Sequence, residues 1–216
     1  MKTCCLCSIS VAEAPRHSWD NPVFESRNFV AVPSLGSLVE GWLLLLPKMH
    51  LLSMGALPEE LVAEMEDMKA KIGAHVRNEY GEICVFEHGP ALASGKVGCS
   101  VDHAHLHVVP LTVDLSEAAR PFMPHDSEWR RASWSECREA HLAGRDYLYF
   151  EQPFGYGRIS THTEFGSQVF RKAIASKIGR PDQFNWREFP ELDTVARTIN
   201  VFAHAAYSPE GIARAR

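Results

Sequence analysis

The run VDHAHLHVVP, residues 101–110, constrains the fold of this chain more than any other stretch. Its histidines fall at every second position between apolar residues. In an extended strand, side chains two apart share a face. His103, His105 and His107 are therefore expected to project together, with Ala104, Leu106 and Val108 packed into a core behind them. Polar groups seldom cluster without partners. Three imidazoles on one otherwise exposed strand face point to a metal, a reacting group or both.

The flanking sequence supplies the rest of a sheet. NFVAVPS and GWLLLLP are short apolar runs bounded by Gly, Pro and Ser, as in buried strands. A helix is expected from near Pro58, because Leu61, Met65, Met68, Ile72 and Val76 recur at three- and four-residue spacing. EICVFEHG returns to strand character, and the loop GPALASGKVGCS leads into the histidine run. Beyond Leu111 the character changes. Residues 115–145 are polar, with Trp129 and Trp134 as anchors, and DYLYFEQPFGYG reads as one more strand. SQVFRKAIASKIG is a helix closed by Gly179 and Pro181, with Gln168, Arg171 and Lys172 read as a solvated face and, as the alternative, as groups facing an anionic substrate. ELDTVARTINVFAHAA is another helix, with Leu192, Val195, Ile199 and Phe202 on one side. The tail YSPEGIARAR is expected to fray.

At 216 residues and 45% hydrophobic content, the chain can bury one domain, or one domain and a large extension. A formal charge of −5 argues against a general binder of nucleic-acid polymers or membrane surfaces, while leaving room for a local anion pocket. No run is long enough to span a bilayer. MKTCCLCSIS lacks the apolar core of a signal peptide, so a cytoplasmic protein is expected. Of the six cysteines, Cys4, Cys5 and Cys7 crowd into four residues, a metal half-site or redox motif rather than a disulfide framework. Cys84, Cys99 and Cys137 read as small buried hydrophobes.

The segment HAHLHVV resembles the His-x-His-x-His signature of the histidine-triad (HIT) superfamily of nucleotide hydrolases and transferases. CCLC, EGWLLLLPKMH and GCSVDHAHLHVVP are similar to further segments of that family, in the same order, over about the first half of the chain. The resemblance implies an α+β, HIT-like fold, with an antiparallel sheet and packed helices. Residues 1–114 would form the catalytic domain, and 115–216 a mainly helical extension packed on it.

The resemblance also assigns roles. His105 would attack the α-phosphorus of a nucleotide-like phosphoanhydride, phosphoramidate or phosphoester, and His107 would assist. A neutral imidazole suits this, being unprotonated near pH 7 and able to leave in a second step. Ser100, His88 and Ser34 fall at substrate-binding positions. Ser34 stands where many members carry a ribose-binding carboxylate, which implies poor use of plain adenosine substrates. Cys4 and Cys7 would hold a structural zinc with His50 and His103; Cys5 in place of Cys4 is the tighter alternative. A homodimer and a small-molecule, nucleotide-like substrate are implied as well. Two other readings stay open: a non-catalytic nucleotide-binding module with a structural zinc, and an enzyme holding one ion on all three triad histidines.

Overall fold

The computed structural model describes residues 4–10, 17–93, 95, 97–98, 101–153 and 156–206. Among them run strands β1 (Phe24–Glu25), β2 (Phe29–Pro33), β3 (Leu43–Pro47), β4 (Cys84–Gly89), β5 (Leu106–Val109), β6 (Arg130–Arg131), β7 (Tyr147–Glu151) and β8 (Arg158–Thr161). The helices are α1 (Cys5–Ser10), α2 (Val62–Tyr80), α3 (Leu115–Ala118), α4 (Trp134–Leu142), α5 (Val169–Lys177) and α6 (Leu192–Ala206). The strands form one sheet in the order β1-β2-β3-β5-β4-β7-β8-β6, and every neighbouring pair is antiparallel. Three of these strands come from residues after 114, and β7 joins the sheet directly on β4.

Side-chain alternation sorts the sheet into two faces. Leu43, Leu45, Val85, Leu106 and Val108 face α2, which presents Met65, Met68, Ile72 and Val76. Phe86, Leu148, Phe150 and Val109 face the other way, against Trp42 and α5 residues Phe170 and Ile174. The expected apolar face of α2 is thus the observed one. Its α-helical bonding starts at Val62 after a 3-10 turn over Glu59–Leu61. Gly81, at φ +90, ends the helix in a conformation that favours glycine.

Three sequence expectations shift. The histidine strand begins only at Leu106, so His103 and His105 lie on the approach to β5 rather than within it. Its histidines are buried, not exposed: Trp42 and Phe86 pack on His107, and His103, His105 and His107 are 0%, 7% and 3% exposed. In α6, Thr194, Val195, Thr198 and Phe202 turn inward while Leu192 turns out. The Thr198 hydroxyl accepts the Gly41 N–H at 2.9 Å, which explains a threonine on the buried side. Trp129 and Trp134 do anchor the polar stretch. Trp129 packs on Phe150 and Phe170, and Trp134 lies over Tyr149. The expected frayed tail at 207–216 lies outside the described residues.

Candidate active site and metal centre

Three neighbouring histidines are fixed in three different ways. His103 Nε2 lies 2.9 Å from the Pro47 carbonyl. A carbonyl only accepts, so Nε2 carries the proton and the Nδ1 lone pair faces away from it. That Nδ1 meets Cys4 Sγ at 3.5 Å and Cys7 Sγ at 3.4 Å, and Cys7 Sγ lies 3.2 Å from His50 Nδ1. The four ligand atoms all fall within 4.8 Å of one another. Ligands around a tetrahedral Zn²⁺-type ion, at about 2.0–2.3 Å from it, stand roughly 3.4–3.8 Å apart. The three contacts of 3.2–3.5 Å lie near that spacing. The Pro47 carbonyl is the outer hydrogen bond that orients a ligating histidine. Burial and the neighbouring Cys4 push the Cys7 thiol up to about 11, a cost that a bound cation would reverse. The cluster Cys4, Cys7, His50, His103 can thus bind a metal ion.

His105 is turned the other way round. Its Nδ1 lies 2.7 Å from the His103 carbonyl and so donates, leaving the Nε2 lone pair available. Burial holds its pKa below the ordinary histidine value; the Arg171 charge adds to this and the His103 carbonyl opposes it. His105 is therefore neutral near pH 7. His107 takes the third arrangement. The indole N–H of Trp42, which can only donate, gives its hydrogen to His107 Nδ1 at 3.0 Å. A neutral His107 then carries its proton on Nε2, an atom that is buried and meets no hydrogen-bond partner among the described residues. Burial, then the neighbouring His105 and His88, hold its pKa well below the ordinary value.

His105 and His107 border a cavity of about 380 Å³. One wall is β2 and the turn after it, with Val32, Pro33, Ser34 and Leu35; another is α1, with Leu6 and Ile9. His17, Trp19 and Asp20 close one side, and Arg171 and Trp186 another. The site is thus a mostly apolar pocket with a few convergent polar groups, the common form of a small-molecule site. The two imidazoles that border it carry opposite tautomers, a lone pair on His105 Nε2 and an N–H on the buried His107 Nε2.

The remaining sequence candidates separate. Ser34 borders the cavity, is 2% exposed, and turns its hydroxyl to the Leu35 carbonyl at 3.4 Å. His88 lies behind the wall rather than on it. Its Nε2 accepts the Phe170 N–H at 3.1 Å, satisfying one of the orphan donors at the start of α5. Ser100, and Cys99 before it, lie outside the described residues. His105 and His107 are not part of the metal-competent group found among the described residues, so one ion on all three triad histidines is not the arrangement seen. Arg171 overturns its reading as part of a solvated face, being 1% exposed and on the cavity wall. Trp19, Asp20, Trp42 and Trp186 carried no sequence signal for the site.

Residues 16–113 match the family model of the HIT domain. That segment, a little under half of the chain, is thus similar to the HIT domain and contains the histidine run. No curated protein matches it. Among solved structures, a hypothetical histidine triad nucleotide-binding protein from Sulfolobus tokodaii is 20% identical, covering 50% of this chain and 68% of its own, with a TM-score of 0.42. A hypothetical protein from Leishmania major is 25% identical over 52% and 75%, at 0.43. A Hit-like protein from Bartonella henselae described as involved in cell-cycle regulation is 16% identical over 67% and 98%, also at 0.43.

Proposed function

We propose that this protein is a nucleotidyl hydrolase or transferase working through a covalent nucleotidyl-His105 intermediate, on a nucleotide-like phosphoanhydride, phosphoramidate or phosphoester. The observation that carries this reading is the pair of fixed tautomers: His105 presents a lone pair at Nε2, and His107 presents an N–H at Nε2. In the first step the His105 Nε2 lone pair forms a bond to phosphorus. The bond from phosphorus to the leaving group breaks, and the leaving group departs with that electron pair and takes a proton. The phosphorylated imidazole keeps its Nδ1–H, and the His103 carbonyl stabilises the positive charge that develops there. The His107 N–H donates to a phosphate oxygen. In the second step water or another acceptor attacks phosphorus, loses its proton, and returns the electron pair to Nε2.

Zinc is the metal this reading places on Cys4, Cys7, His50 and His103. A closed four-ligand set is structural; bound there, the ion would hold the segment before β5 without entering the chemistry. Ser34 and Ser100 belong to substrate binding on this reading. On this reading residues 1–114 supply the reacting histidines, while 115–216, expected as an extension packed on that domain, continue its sheet and add Arg171 and Trp186 to the cavity wall. The enzyme acts as a cytoplasmic homodimer. No helix among the described residues is long and apolar enough to cross a membrane.

The experiment is to trap the intermediate. A nucleoside phosphoramidate or dinucleoside polyphosphate with a slow second step should leave an acid-labile, alkali-stable adduct on the His105 peptide, read by mass spectrometry. His105→Ala should lower kcat/KM by about 10⁴-fold or more. An adduct on His107, or full activity of His105→Ala, rejects the mechanism. Tight nucleotide binding with no turnover by the native protein favours the binding-module reading instead.

A further inference from the structure

Helix α5 lies well beyond the HIT segment, yet it brings a guanidinium to the cavity wall beside His105 and His107. Two backbone carbonyls fix its plane: Arg171 Nε donates to Phe184 O at 2.8 Å, and Nη2 donates to Gly36 O. The Trp42 ring lies beneath it, 5.0 Å from the guanidinium carbon. Carbonyls and an aromatic face orient a guanidinium. Arg171 borders the same cavity as the two imidazoles, His105 and His107. Among the described residues lining the cavity, Arg171 is the one Lys or Arg.

The two reacting imidazoles supply a lone pair and an N–H but no net charge. A phosphate linked to two groups carries one negative charge on its nonbridging oxygens, and that charge must enter a largely apolar pocket. A planar, fixed cation is the group that meets it. Resting on the nucleotidyl reading of the cavity, we propose that Arg171 binds the nonbridging oxygens of the phosphate that His105 attacks, so that a helix from outside the HIT segment completes the active site. The substrate class is then a singly charged, doubly linked phosphate, not a neutral ester or a carbonyl compound. His88 is a positioning residue in this arrangement, because it holds the first turn of the helix that carries Arg171.

The test has a binding arm and a turnover arm. In the binding arm, inorganic phosphate is titrated into the wild-type, zinc-loaded protein while the Arg171 Nε–H resonance is followed by NMR. The resonance should move with saturation, and Arg171→Gln should bind phosphate at least about 10-fold more weakly. In the turnover arm, Arg171→Gln should lower kcat/KM for a nucleoside 5′-phosphoramidate by about 100-fold, with Arg171→Lys recovering part of the loss. An unmoved Arg171 resonance, or wild-type phosphate affinity in Arg171→Gln, overturns the proposal. If the Gln variant does not fold, the wild-type resonance decides. Phosphate bound through Arg171 with no probe turned over supports this assignment while counting against the His105 chemistry.

Discussion

The two ends of one short histidine run make different sites out of the same side chain. At the outer end, His103 meets two sulfurs and a second imidazole, His50, which is exposed. At the inner end, His107 packs on Trp42 and Phe86, and His105 and His107 share a cavity wall with Arg171, outside the Cys/His group. What separates them is a choice of hydrogen-bond partner: Pro47 O takes the Nε2 proton of His103, His103 O takes the Nδ1 proton of His105, and the Trp42 indole gives its own proton to His107. A donor or acceptor on one ring nitrogen fixes what the other can do. Function along the run is thus set by its neighbours, not by the histidines themselves.

The contrast breaks most visibly with the metal. Cys7→Ser should abolish a stoichiometry of about one zinc per chain and cost about 3–4 kcal/mol of stability, the linkage expected at free zinc several hundred-fold above its Kd. His105→Ala should leave zinc content and melting temperature unchanged. Equal metal loss in both variants, read by elemental analysis, would merge the two ends into one site.

Trp42→Phe sharpens the inner end. Without the indole donor, His107 can move its proton to Nδ1 and cease to donate from Nε2. A loss of about 10- to 100-fold in kcat/KM is expected, with the tautomer change visible in the imidazole ¹⁵N shifts. Unchanged ¹⁵N shifts would show that Trp42 does not set the tautomer.

The smallest effect is on acid stability. His88, His105 and His107 all have folded pKa values below 6.5, that of His88 being about 3. The unfolded chain therefore takes up protons first, and stability falls as pH drops below 6.5. Glu87 acts in the opposite sense. Burial raises it to about 7 from 4.5, so its contribution is fully present below 4.5 and is lost as pH rises to 7. From pH 6.5 to 5.5 His88 and His107 each lose about 1 kcal/mol and Glu87 offsets about one of them, for a net loss of about 1 kcal/mol, to which His105 adds in the same direction. Denaturant melts that are flat across this range would show these imidazoles to be more solvated than their burial implies.

Much of this was legible in the sequence because it is local. Strand alternation placed Leu106 and Val108 in the core, and three- to four-residue spacing gave the inward face of α2. The Cys-x-x-Cys spacing, with the family resemblance, brought Cys4, Cys7, His50 and His103 onto one list. Other features depend on contacts between distant segments. Nothing near His105 announces that residues 168–186 will cover it. Arg171 did leave a trace: it lies three and four residues before Ile174 and Ala175, within the apolar arc of α5, where a solvated arginine does not belong. His88 pairs with a backbone N–H 82 positions away, which spacing alone does not reveal.

Gly36 ties these distant parts together. Its φ is +75, and a Cβ there would lie 2.5 Å from the Trp186 Cβ and 3.0 Å from Arg171 Nη2. A single methyl group would push apart the turn after β2, the guanidinium and the tryptophan. Positions 36, 171 and 186 are thus one mechanical unit: side-chain bulk added at the glycine is felt at the arginine's seat, on the far side of the cavity's own wall.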